Sequence, residues 1–159
     1  MNHPEVVDIL LVEDTASDVE LLQRALHKHR LDCTLAIAHD GAEALEYLFP
    51  GNHAAGSALC IPKLILLDLK LPQVSGLEVL RRIKSDQDKK SIPVVVFSSS
   101  AQDEDIAACY RYGANSYVQK PVSFDEYLKV VAGIVSFWLH INITPVAGWG
   151  YFRGEKVVA

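Results

Sequence analysis

The chain has 159 residues, of which 50% are hydrophobic and 22% charged, and its formal net charge is −5. That length suits one domain with a real core, and the acidic balance, without a concentrated run of Lys and Arg, speaks against a nucleic-acid binder. Cys33, Cys60 and Cys109 form neither a C-x-x-C pair nor an even framework, the start lacks a secretory pattern, and the longest apolar stretch is too short for a bilayer; a cytoplasmic protein with no membrane association is expected.

Short apolar runs alternate with helix-period segments, the pattern of βα units around a parallel sheet. The first strand is expected at Asp8–Glu13, where I-L-L-V runs into Glu13 and Asp14. A helix should follow near Ser17, because Ser17 and Glu20 have capping-box spacing and Val19, Leu22 and Leu26 share a face. The second strand is expected at Thr34–Ala38, and the second helix is G-A-E-A-L-E-Y-L-F, stopped by Pro50-Gly51. Residues 51–62 read as a long loop of small residues with no recognisable chemistry.

The third strand is expected at Leu64–Leu67, running into Asp68, and the third helix at Ser75–Asp86, with Leu77, Leu80 and Ile83 inward. The fourth strand, Pro93–Phe97, leads into Ser98. The fourth helix covers about Gln102–Tyr112 and is closed by Gly113 as a left-handed cap. The fifth strand, Ser116–Val118, leads to Lys120 and Pro121. The fifth helix begins near Ser123 and runs unusually far, to about His140. Its apolar set (Phe124, Tyr127, Leu128, Val131, Val135, Phe137, Trp138, Leu139) exceeds one stripe, so burial on two sides is expected.

Ligands of open α/β sheets bind in the crevice outside the carboxyl ends of the strands. Here those ends carry Glu13, Asp14, Asp68 and Lys120. Three clustered carboxylates favour a divalent cation with hard oxygen ligands, such as Mg²⁺. An ammonium beside that cation implies an anion shared between them, and phosphate is the natural candidate. The six histidines are scattered; His27 and His29 point apart on a helix, and none is given a metal or donor role.

Taken together, V-E-D, L-D-L-K-L-P-Q-V-S-G, V-V-V-F-S-S and Y-V-Q-K-P, in that order, resemble the receiver domain of bacterial two-component response regulators over about residues 7–138. The long loop and the aromatic C-terminal extension are most similar to the small regulators that partner cyanobacterial phytochromes. The resemblance implies a doubly wound, flavodoxin-like α/β fold with a five-stranded parallel sheet in the order 2-1-3-4-5, helices on both faces, a receiver domain over residues 1–140 and an extension over 141–159.

It also implies roles. Asp68 would be the phosphoacceptor. Glu13, Asp14, Asp68 and the backbone carbonyl of Lys70 would hold Mg²⁺, with Mn²⁺ as a possible substitute, Glu13 acting through a metal-bound water. Ser98 and Lys120 would contact the phosphoryl group, and Tyr117 would be an aromatic switch. The side chains of Lys70 and Ser100 would border the path of the attacking water and tune the lifetime of the phosphorylated state. Pro121 would follow a cis peptide bond that aims Lys120 inward.

Output would be an interaction, since the receiver takes nearly the whole chain. The expected partners are a phytochrome-type sensor histidine kinase and a second copy of the chain, docked through the fourth helix, fifth strand and fifth helix with Phe124, Tyr127 and Trp138; the tail aromatics Trp149, Tyr151 and Phe152 would either complete that interface or fold back on their own domain. The chain would act as an enzyme only on its own phosphorylation and dephosphorylation. Two rival readings are a dimeric receiver-like module that works without phosphorylation and a phosphohydrolase with an aspartyl phosphate intermediate. Lys70, where such hydrolases carry an acid, argues against the second.

Overall fold

The computed structural model describes residues 7–51 and 61–144. His3, His53, Cys60, Trp149, Tyr151 and Phe152 lie outside the described residues. Five strands form one parallel sheet: β1 (Ile9–Val12), β2 (Leu35–Ala38), β3 (Leu64–Leu67), β4 (Val94–Ser98) and β5 (Ser116–Gln119). Their order is β2-β1-β3-β4-β5, as the resemblance implies. The helices are α1 (Ala16–Lys28), α2 (Gly41–Leu48), α3 (Gly76–Ser85), α4 (Asp103–Arg111) and α5 (Phe124–Val135).

The period of two along a strand divides the core into two halves. Leu10, Val12, Ile65, Leu67, Val94 and Val96 face a cluster completed by Ala44, Leu48, Val79, Leu80, Ile83 and Cys109 of α2, α3 and α4. Ile9, Leu11, Leu64, Leu66, Val95 and Phe97 face the other cluster, completed by Leu22, Ala25 and Leu26 of α1 and by Tyr127, Leu128, Val131, Ile134 and Val135 of α5. Strands covered on both faces need no polar alternation. That is why β1, β3 and β4 read as unbroken apolar runs and are buried throughout.

Local chemistry sets the helix starts. The Asp40 side chain accepts the Glu43 amide at 2.7 Å at the start of α2, and Ser75 accepts the Glu78 amide at 3.2 Å at the start of α3. The capping box expected at Ser17 does not form. Helix α1 begins at Ala16, Thr15 is its N-cap residue and no side chain caps it. Gly113 closes α4 with a φ of +94°, a conformation that glycine adopts without a Cβ penalty.

Helix α5 passes directly into a π-helical segment, Ser136–Ile141, so the helical run extends to Ile141. The wider turn spreads the bulky residues: Trp138 and Leu139 pack on the core while Phe137 and Ile141 remain exposed. Tyr127, expected at a dimer interface, is instead 3% exposed and packs its ring 5.4 Å from that of Phe97. The inward stripe of α5 claims it for the domain's own core. Phe124 is exposed and Trp138 is half-buried. Among the described residues no helix is long and apolar enough to cross a membrane.

Candidate functional site

Strand register assembles the site. Val12 lies opposite Leu67, so Glu13 and Asp68 leave the sheet side by side. The Asp68 amide donates to the Val12 carbonyl at 3.1 Å and fixes that alignment. One carboxylate oxygen each from Glu13, Asp14 and Asp68 can be chosen so that the three lie within 4.8 Å of one another. Magnesium holds oxygens at about 2.0–2.1 Å, which places neighbouring ligands roughly 3 to 4 Å apart, so a small closure of this cluster fits a divalent ion. Asp14 is exposed and open to such an ion, whereas Glu13 is buried.

Lys120 closes the site from β5. Its ammonium donates to Glu13 Oε2 at 2.5 Å, to Asp18 Oδ2 at 2.9 Å and to Asp68 Oδ2 at 3.0 Å. Its three protons thus meet three carboxylates. Burial opposes the charge on Lys120, but its hydrogen bonds to Glu13 and Asp18 and the charge of Asp68 outweigh burial and raise its pKa above the ordinary lysine value. Burial raises the Glu13 carboxyl above its usual value, although Lys120 and the Thr15 amide pull the other way. The second oxygen of Asp68 accepts the Lys70 amide at 3.3 Å.

The peptide bond before Pro121 is trans, because the described chain contains no cis bond; this corrects the expectation of a cis-proline. Trans is the ground state for X-Pro by about 0.5–1 kcal/mol. Aiming Lys120 does not need the other isomer, since its amide is already fixed to the Ser98 carbonyl at 2.8 Å and its ammonium to three acids.

Ser98, Ser100 and Tyr117 form a second group beside the acids. Ser98 is fully buried, and its hydroxyl oxygen accepts the Ser100 amide at 3.3 Å. Ser100 is also buried and donates its own hydroxyl to Asp105 at 2.5 Å. The half-buried Tyr117 donates its phenol to the Ser100 carbonyl at 3.0 Å, and burial pushes that phenol's pKa up. Lys70 is exposed.

Two residues escaped the sequence reading. Asp18 reads as an ordinary first-turn acid of α1, yet it faces Lys120. No local pattern marks it, since Asp14 precedes α1 and Lys120 is distant in sequence. Asp105 reads as an ordinary first-turn acid of α4, and only the fold shows that it holds Ser100.

Comparisons with known proteins agree with this geometry. The family described as response regulator receiver domain matches residues 9–132. The chain is 41% identical over 146 residues to the response regulator Rcp1 of Synechocystis sp., covering 92% of this chain and 97% of that protein. The crystal structure of the phosphorylated cyanobacterial phytochrome response regulator RcpA is similar, with a TM-score of 0.79, 40% identity, and coverage of 88% of this chain and 99% of that one. The Mn²⁺-bound form of Rcp1 is similar too, with a TM-score of 0.78, 40% identity, and coverage of 87% and 99%.

Proposed function

This chain belongs to the response regulator receiver domain family, and on that footing we propose that Asp68 accepts a phosphoryl group from a phosphohistidine of a sensor histidine kinase, with Mg²⁺ as the metal. The observation that carries the reading is the Lys120 ammonium, bonded at once to Glu13 and Asp68 beside the exposed Asp14. A carboxylate is a poor nucleophile toward phosphorus, so catalysis rests on positioning and charge neutralisation. An Asp68 oxygen forms the new O–P bond as the P–N bond to the donor imidazole breaks, and the imidazole nitrogen keeps the electron pair and takes a proton. Lys120, already beside Asp68, neutralises charge on the transferred oxygens. Glu13, Asp14, Asp68 and the Lys70 carbonyl would hold the ion, which supplies further neutralisation when bound.

Ser98 is assigned to the phosphoryl group and Tyr117 to the switch, in keeping with the Ser98–Ser100–Tyr117 chain of hydrogen bonds. Lys70 and Ser100 are assigned to lifetime tuning. The similarity to RcpA, a cyanobacterial phytochrome response regulator, supports a phytochrome-type kinase and light signalling. The similarity to Mn²⁺-bound Rcp1 supports Mn²⁺ as a substitute ion. The exposed Phe124 at the start of α5, and the exposed Phe137 and Ile141 near the half-buried Trp138 at its far end, support a homodimer through α4, β5 and α5. The free thiols of Cys33 and Cys109 are in keeping with a cytoplasmic setting. No catalysis beyond the protein's own phosphorylation and dephosphorylation is assigned.

The test is intact mass after incubation with acetyl phosphate or a phosphorylated kinase. One phosphoryl adduct that needs Mg²⁺ and vanishes in Asp68→Asn is expected. Absence of any adduct with every donor would refute the reading.

A further inference from the structure

Lys120 faces more negative charge than the reaction needs. Glu13, Asp18 and Asp68 all bind one ammonium, Asp14 clusters with two of them, and Asp18 is neither the expected acceptor nor part of the acid trio that could hold a metal. Its bond to Lys120, at 2.9 Å, is as short as the Asp68 bond at 3.0 Å.

Asp18 is not needed to keep Lys120 in place. The lysine side chain is 10% exposed, its amide is pinned to Ser98, and the Glu13 side chain, 3% exposed, holds the ammonium from the buried side. The Phe97 ring lies under it, with its centroid 5.8 Å from Nζ. Asp18, by contrast, is 35% exposed and stands on the first turn of α1. What it adds is charge. An incoming phosphoryl group is itself anionic and must share the same ammonium.

We infer that Asp18 is a positioning residue that acts as a charge brake on Asp68. It occupies one Lys120 proton and offsets part of the lysine charge, which slows phosphoryl transfer and weakens the hold on the transferred group. The inference rests on Asp68 being the phosphoacceptor. In the test reaction an Asp68 oxygen bonds to the phosphorus of acetyl phosphate, the acetyl O–P bond breaks, and acetate leaves with the electron pair.

The discriminating variant is Asp18→Asn. The amide keeps an oxygen for Lys120 and removes the charge, so geometry and charge are separated. The rate constant for Asp68 phosphorylation by acetyl phosphate in Mg²⁺ should rise roughly fivefold at low salt, the scale of one part-exposed ion pair. Asp18→Glu, which restores the charge, should return the rate toward wild type. The gap between wild type and Asp18→Asn should shrink in high salt, because screening removes a charge effect but not a structural one. Adduct formation on wild-type Asp68 at a rate equal to or above that of Asp18→Asn overturns the brake and leaves the phosphoacceptor reading intact. A wild type that forms no adduct overturns both.

Discussion

Gly76 sits against the backbone of Asp68 so closely that a Cβ built on it would fall 2.0 Å from the Asp68 carbonyl oxygen. The Gly76 amide also donates to the Leu69 carbonyl at 3.0 Å. Helix α3 therefore starts directly on the segment that carries the proposed phosphoacceptor. The glycine of L-D-L-K-L-P-Q-V-S-G is a requirement of close approach, since its neighbours there are backbone atoms that cannot swing aside.

Gly76→Ala should therefore destabilise the fold by about 1–3 kcal/mol, the range for overpacking, or somewhat more because the clash is with backbone. Denaturant unfolding at pH 7 measures this. The variant should also phosphorylate more slowly, because relief of the clash moves Asp68. A midpoint and an unfolding slope equal to wild type would show that the helix start can slide without cost.

Asp14 is the acid most open to an incoming ion, and its role can be read without phosphate. Mg²⁺ should raise the melting temperature of the wild type in a saturable way, since an ion that binds only the folded chain at 100 times its Kd stabilises by about 2.7 kcal/mol. Asp14→Asn should lose most of that rise while keeping the melting temperature of the metal-free wild type. Chelation with EDTA should return the wild type to its metal-free value. An Asp14→Asn protein that responds to Mg²⁺ like the wild type would remove Asp14 from the metal site.

Much of this architecture is legible in the chain because buried parallel strands need no alternation. L-I-L-L and V-V-V-F announce β3 and β4 with little ambiguity, and the polar residue that ends each run marks the edge that carries the candidate site. What failed was decided by partners far away in sequence. Asp18 and Lys120 are 102 residues apart, so no local pattern joins them. Tyr127 belongs to a helix with apolar residues on more than one face, and composition cannot say which face takes the core. The isomer before Pro121 is separated from its alternative by about 0.5–1 kcal/mol, less than tertiary contacts supply. The Ser17 capping box had the right residues two positions too late, because Thr15 is the N-cap and α1 already begins at Ala16.

Lys84 offers a pH-dependent prediction outside the site. Its ammonium donates to the carbonyls of Lys90 and Ile92, at 3.0 and 2.8 Å, and to Asn115 Oδ1 at 2.9 Å, with no carboxylate among these three partners. Burial pushes its pKa down to about 8 from an ordinary value of 10.5. Between those values the unfolded chain binds the proton and the folded chain does not. The contribution of Lys84 to stability therefore rises with pH across this window, with a slope of at most about 1.4 kcal/mol per pH unit. Lys84→Met should remove that rise, so unfolding free energies of wild type minus variant should climb from pH 8 to 10.5. A flat difference would mean that the three oxygens hold the charged form as well as water does.

Lys120→Met tests the central ion pair through stability as well as activity. The Glu13 carboxylate would be left buried without its cation, at a cost of about 3–5 kcal/mol near neutral pH. Burial already raises the Glu13 pKa above 4.5, and Lys120 is its largest opposing influence, so the variant's Glu13 should titrate higher still. A carboxyl with a raised folded pKa binds its proton more tightly when folded, so stability falls as pH rises from 4.5 through the folded value. The variant's deficit should thus be small near pH 4.5 and grow toward pH 8. Adding Glu13→Gln to Lys120→Met should recover much of the loss at pH 8, and the double-mutant cycle gives the coupling between the two residues. A deficit independent of pH, with no recovery in the double variant, would place the cost in lost packing of the lysine stem and not in the buried charge.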